Sequence, residues 1–138
     1  MAITINQARE AIYQRFAAAW ADRTPYAFEN EDFDPVEAVW TRLAVRHADR
    51  NQISLGQPGT RKFETRGIVF QQLFIPMGAA MGDLDAHLEF AKGIFDAARI
   101  EGTTIRFFAA KVREIGPGPD SKYFGSTVET GFTYEAQG

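Results

Sequence analysis

Two periods of hydrophobic and polar residues alternate along this chain, and the changes of period divide it into helix, strands, helix and strands. Over 5–22, Ile5, Ala8, Ile12, Phe16, Ala19 and Trp20 recur on one helical face, with Arg9, Glu10, Gln14 and Arg15 opposite. Thr4, followed three residues later by Gln7, has the spacing of a capping box. Residues 26–28 fit a short strand. Period two takes over at 39–47, with Val39, Thr41, Leu43, Val45 and His47 on one side and Trp40, Arg42, Ala44 and Arg46 on the other. Residues 52–55 read as a short strand or as the continuation of that one. The helical period returns at 84–100, where Leu84, Leu88, Ala91, Phe95 and Ala98 share a face. Asp83 is placed to cap this second helix and Gly102 to occupy the left-handed position beyond its end.

Between these elements lies the most informative stretch, 54–77. Gly56, Pro58 and Gly59 supply turn chemistry, and 61–75 then runs with Gly67 as its one breaker. A typical strand has about five or six residues, so this one is two to three times the usual length. Its first half alternates Lys62, Glu64 and Arg66 with Phe63 and Thr65, which gives one wet face. Its second half, 68–75, is apolar on both faces and predicts a strand covered on both sides. The first half is therefore expected to run on as a projecting hairpin arm over 52–67, a shape suited to touching another molecule.

The last third is again strand-like, over 104–115 and 122–134. Ile105 and Phe107 share one parity and Val112 the other, so a bulge is expected near 109–110. In the final strand Phe124, Val128, Phe132 and Tyr134 face one way, and Tyr123, Thr127, Glu129 and Thr133 the other. Mostly hairpin-like connections and two amphipathic helices predict an α+β fold: a mainly antiparallel sheet with both helices on one face and a projecting β-hairpin arm. The 138 residues suit one domain, 1–138, and a hydrophobic fraction of 45% with 12 Phe supplies a core.

Charge and composition narrow the chemistry. A net charge of -3 without a Lys/Arg block argues against tight nucleic-acid binding. No cysteine is present, so disulfides and thiolate-bound metals are excluded. The N-terminus lacks a signal-peptide pattern, and no apolar run approaches the ~20 residues of a membrane helix. A soluble protein made in the cytosol is the expectation.

A search for catalytic motifs finds little. Ser54, Ser121 and Ser126 lie in no nucleophile elbow, and no phosphate-binding glycine loop follows a strand. His87 lies one helical turn from Asp83, but no third ligand is visible; a cap at Asp83 explains the pair as well. The acidic loop 29–35, with Glu29, Glu31, Asp32 and Asp34, lacks the spacing of a Ca²⁺ loop and reads as a solvated patch or one facing a basic partner. The 116–120 segment contains two prolines that remove the N–H donors a phosphate cradle needs, so it reads as a rigid turn.

Arg61, Lys62 and Arg66 form a small basic cluster at the base of the arm, open to reading as a DNA-phosphate contact or as charges balanced by Glu64 and its neighbours. Adjacent aromatics, Phe107-Phe108 and Tyr123-Phe124, place one ring of each pair away from the helices. Base stacking is one use of such rings; cover by a neighbouring subunit is the other. Gln57, Pro58, Arg61, Phe63, Arg66, Phe108 and Tyr123 are thus the candidate interface residues. No cofactor, metal or catalytic residue is expected.

Several short motifs in order resemble one family over nearly the whole chain. They are Phe28-Glu29-Asn30, a strand opening on Trp40, Ser-Leu-Gly at 54–56 and Arg-Lys-Phe-x-Thr-x-Gly-Ile-x-Phe-Gln at 61–71. Phe-x-Pro-x-Gly at 74–78 and Tyr-Phe…Phe-x-Tyr-Glu at 123–135 complete the set. The layout is similar to the lambda-like tail terminators of long-tailed phages, with an extra Gly-Pro in 116–120. The resemblance implies a non-enzymatic virion protein of the tail and neck, assembled in the bacterial host cytoplasm. It implies a homo-hexameric ring on the head-proximal end of the tail tube. That ring would contact the tail tube protein and the head-completion protein, and DNA would pass through it without specific binding. Another neck or head-tail connector protein of similar size is the second reading within that class. A ligand-binding or hydrolytic α+β domain using His47, His87 and Asp83 is the reading from a different class.

Overall fold

In the computed structural model, described over residues 3–31, 38–56, 62–117 and 122–137, seven elements follow one another. They are α1 (Ile5–Trp20), β1 (Tyr26–Phe28), β2 (Trp40–Gln52), β3 (Lys62–Pro76), α2 (Met81–Phe95), β4 (Arg106–Pro117) and β5 (Tyr123–Gln137). The five strands form one sheet in the order β1-β2-β3-β5-β4. The four long strands pair antiparallel, whereas the three-residue β1 runs parallel to β2. The architecture is α+β with both helices on one face.

Local chemistry explains most element ends. The capping box at α1 is formed: Gln7 N donates to Thr4 Oγ1 at 3.1 Å, and Thr4 N donates to Gln7 Oε1 at 2.9 Å. The helix stops at Trp20, two residues before the expected end, because Ala21 adopts φ 51. Trp20 Nε1 then donates to Thr24 Oγ1 at 3.0 Å, and Thr24 and Thr41 share a hydroxyl bond of 3.1 Å that ties this corner to β2. β2 is the longer of the two alternatives weighed for it. Its ladder with β3 extends to Gln52–Phe63, across a register shift between His47 and Asp49.

The second helix departs from expectation at both ends. It is capped by Ala80 without a side-chain bond, and Asp83 lies within its first turn, where a carboxylate favours the helix dipole. It ends at Phe95 rather than at 100. Ala97 turns to φ 50, its N–H bonds Phe108 O at 2.9 Å, and Ala98 O accepts from Phe107 N at 2.9 Å. Pairing with the start of β4 has outcompeted the last helical turn. Gly102, at φ 77, serves the turn between Arg99 and Arg106 instead of a helix end. The expected bulge is present, as a register shift between Phe107 and Ala110, and Asp96 Oδ1 accepts the Ala110 N–H there at 2.8 Å.

The core lies between the helices and one face of the sheet. Ile12, Phe16 and Trp20 of α1 and Leu84, Ala91 and Phe95 of α2 meet Leu43, Val45, Val69, Leu73, Ile75, Val128 and Phe132. Each large side chain buried this way contributes about 1.5–3 kcal/mol. Gln71 sits fully buried among them and donates to Ala91 O at 3.1 Å, pinning α2 to β3. Gly67 is required by packing: a Cβ there would overlap Arg46 O and the Phe132 ring. No helix among the described residues is long and apolar enough to cross a membrane.

Candidate assembly surface

The second face of the sheet carries no packed layer among the described residues. Cross-strand pairing places Arg42, Ala44 and Arg46 of β2 beside Gln72, Phe70 and Ile68 of β3. The same rows continue to Thr127, Glu129 and Gly131 of β5. None of the outward apolar residues Trp40, Ile68, Phe70 and Phe74 belongs to the core cluster. The expectation that 68–75 is covered on both sides is therefore corrected. Helices cover Val69, Leu73 and Ile75, and flanking side chains only half-bury Ile68, Phe70 and Phe74.

The bare face has its own small aromatic cluster. Trp40 stacks on Phe74 with ring centres 4.4 Å apart, and Tyr123 meets Trp40 edge-on at 6.0 Å. Arg42 lies 5.6 Å from the Trp40 ring. At the other end, Phe108 rests against Gly131 and remains 54% exposed. Tyr123 and Phe108 thus share the outward face, as the adjacent-aromatic argument required, but they sit at opposite ends of it. Trp40 and Phe74 were missed as residues that pack on this outward face, where Trp40 is 6% exposed and Phe74 half-buried. Their signal was present in the opposed parities of 40–46 and 68–74, but a strand apolar on both sides looks the same whether or not a second layer exists.

The arm differs in construction from the expectation. It is three-stranded rather than a two-stranded ribbon, because residues 132–137 of β5 pair with β3 out to Lys62–Gln137. Residues 48–52 of β2 are all exposed. At the tip, Ser54 Oγ accepts the Lys62 N–H at 2.8 Å, which closes the hairpin. Phe63 points to the helix side of the ladder, half-buried, with the Arg50 guanidinium 3.7 Å from its ring centre. Arg66 is on the outward side and pairs with Glu64 at 3.1 Å. Gln57, Pro58 and Arg61 lie outside the described residues, as do Asp32 and Asp34 of the acidic loop and most of the 116–120 turn.

The groups weighed for catalysis are dispersed. Asp83 and His87 line a cavity of about 430 Å³ with Arg23, Thr24 and Pro76. His87 Nδ1 is 3.3 Å from an Arg23 nitrogen, and Arg23 also lies over Phe90. His47 lines a different cavity, of about 310 Å³, with Ile3, Asp49, Thr65 and Tyr134. Both imidazoles are held below their ordinary value, mainly by burial, with Arg9 adding to the effect at His47 and Arg23 at His87. Among the described residues no group of three or more His, Asp or Glu side chains could hold a metal. A further cavity, about 910 Å³, is an open groove between α1 and α2 lined by Ala18, Phe90 and Ile94.

Comparison with known proteins bears on the fold. No family model matches the chain, and no curated protein matches it. A solved structure superposes with a TM-score of 0.71, covering 96% of this chain and 96% of its own at 18% identity. Likeness at that identity shows a shared fold alone.

Proposed function

We propose that this protein is a ring-forming virion protein of the tail-terminator type, which caps the head-proximal end of a phage tail tube and joins it to the head-completion protein. The observation that supports this reading best is the unfinished sheet. A five-stranded sheet with a full helical layer on one side leaves Phe108 exposed and Phe70, Phe74 and Tyr123 half-buried on the other, and part of each outer edge without a strand partner among the described residues. Neighbouring subunits would cover that surface at modest cost, since its backbone is already ordered. Ring closure needs two different surfaces on each copy, and a sheet with two unlike edges provides them. The role needs no catalytic group, in keeping with the dispersal of His47, His87 and Asp83 over two cavities. A near-neutral charge suits a passage through which DNA slides without being gripped.

The test is assembly. Purified chain, alone or mixed with polymerising tail tube protein, is examined by light scattering and electron microscopy. The expected result is a six-fold ring, free or on one end of each tube, with tube growth arrested. A particle of fixed small size that ignores tube ends would overturn the reading.

A further inference from the structure

The two edges of the sheet point to how copies would join. β4 is an outer strand with 9 of its 12 residues exposed. Its start is bonded by Ala97, Ala98 and Asp96, and over 111–117 its outer edge has no strand partner among the described residues. On the opposite side, β1 covers only Thr41, Arg42 and Leu43 of β2, so the edge over 44–52 has no strand partner among the described residues, with Arg9 Nη2 donating to Val45 O at 3.2 Å. Open edges of this length are templates for strand addition. Direction decides which additions are possible. β2 and β5 run one way, β3 and β4 the other. Rotation about an axis lying along the strands preserves each direction, so β4 of one copy arrives antiparallel to β2 of the next.

Stagger follows from the register. Leu43 is level with Val112 through Gln71 and Val128, so an unshifted neighbour would set β4 against β1. Reaching the free part of β2 requires a slide of about five residues, or ~16 Å at the usual strand rise. Closed sheets of tilted strands need such a stagger. The slide brings Lys111 opposite Asp49. Both lie on the outward side: Lys111 is level with Glu129 and Asp49 with Arg66. Within the chain each has lost its natural partner, because Glu129 is taken by Arg113 at 2.9 Å and Arg66 by Glu64 at 3.1 Å.

We propose that residues 111–116 of β4 in one copy pair antiparallel with the edge of β2 over 44–49 in the next copy, with Lys111 facing Asp49, so that the sheet continues from subunit to subunit. This rests on the ring reading above, and the experiment separates the two. The chain has no cysteine, so introduced thiols report contacts unambiguously. Lys111→Cys and Asp49→Cys chains are oxidised separately, mixed, and combined in one chain. The expected outcome is a cross-linked dimer only in the mixture and a covalent ladder in the double variant. Lys111→Glu and Asp49→Lys should each weaken the ring, and their combination should restore it, with melting temperature unchanged throughout. A ring that forms without the mixed cross-link and ignores both charge reversals overturns the edge pairing and leaves the ring reading standing. Cross-links within a single-variant population would mean like edges meet, which also overturns it. Absence of any ring defeats both proposals.

Discussion

The two faces of one sheet differ in what completes them. On the helix side, Leu43, Val69, Leu73 and Val128 are wholly buried by residues of the same chain. On the other, Ile68, Phe70 and Phe74 are half-buried by neighbours within the sheet, and Phe108 stands 54% exposed. The strand residues alternate between these environments, so their chemistry is nearly the same on both sides. What differs is the presence of a second layer. Burial is thus concentrated on one face, which separates residues that hold the fold from residues that the proposed assembly would cover.

The sharpest way to break this contrast is to compare truncations on the two sides. Leu73→Ala, on the covered face, should cost about 2–5 kcal/mol in urea unfolding, since the site is sealed by both helices. Phe63→Asp removes a half-buried ring beneath Arg50; about 1 kcal/mol of lost stability is expected, with ring formation abolished in sizing experiments. Global unfolding instead would place the arm in the core. Phe108→Asp should change stability by no more than about 0.5 kcal/mol and still prevent assembly, as judged by light scattering. A large stability loss there would mean the bare face is part of the fold.

The smallest effect concerns pH. His47 is held below its ordinary 6.5 by burial and by Arg9, so as pH falls the unfolded chain takes up its proton first. Folding stability should therefore decline as pH drops through about 6.5 and level off below the folded value. His87 is shifted in the same direction and adds to the slope. His47→Asn should flatten part of the decline in melts between about pH 7 and pH 5, leaving the share due to His87. An unchanged slope would show that His47 is solvated in the folded state.

Much of the architecture was legible because local patterns and tertiary burial agree. The 3.6 period in α1, the capping box at Thr4 and Gln7, the length of β3 and the bulge beside Phe107 all follow from residue spacing, and all are present. The end of α2 was not legible. Ala97 and Ala98 are good helix formers, and nothing local reveals that Phe107 and Phe108 compete for their backbone groups. The third strand of the arm was hidden for a similar reason, since Lys62 and Gln137 are partners far apart in sequence.

By itself the sequence determined which residues alternate, where helices begin, and that one strand is unusually long, because those follow from period, caps and breakers close together in the chain. Only the tertiary structure decided which of two apolar faces receives the helices and which stays bare, which strands become edges, and that His47, His87 and Asp83 fall into separate cavities. Those outcomes depend on long-range pairing, and loop closure between distant segments leaves no mark in local periodicity.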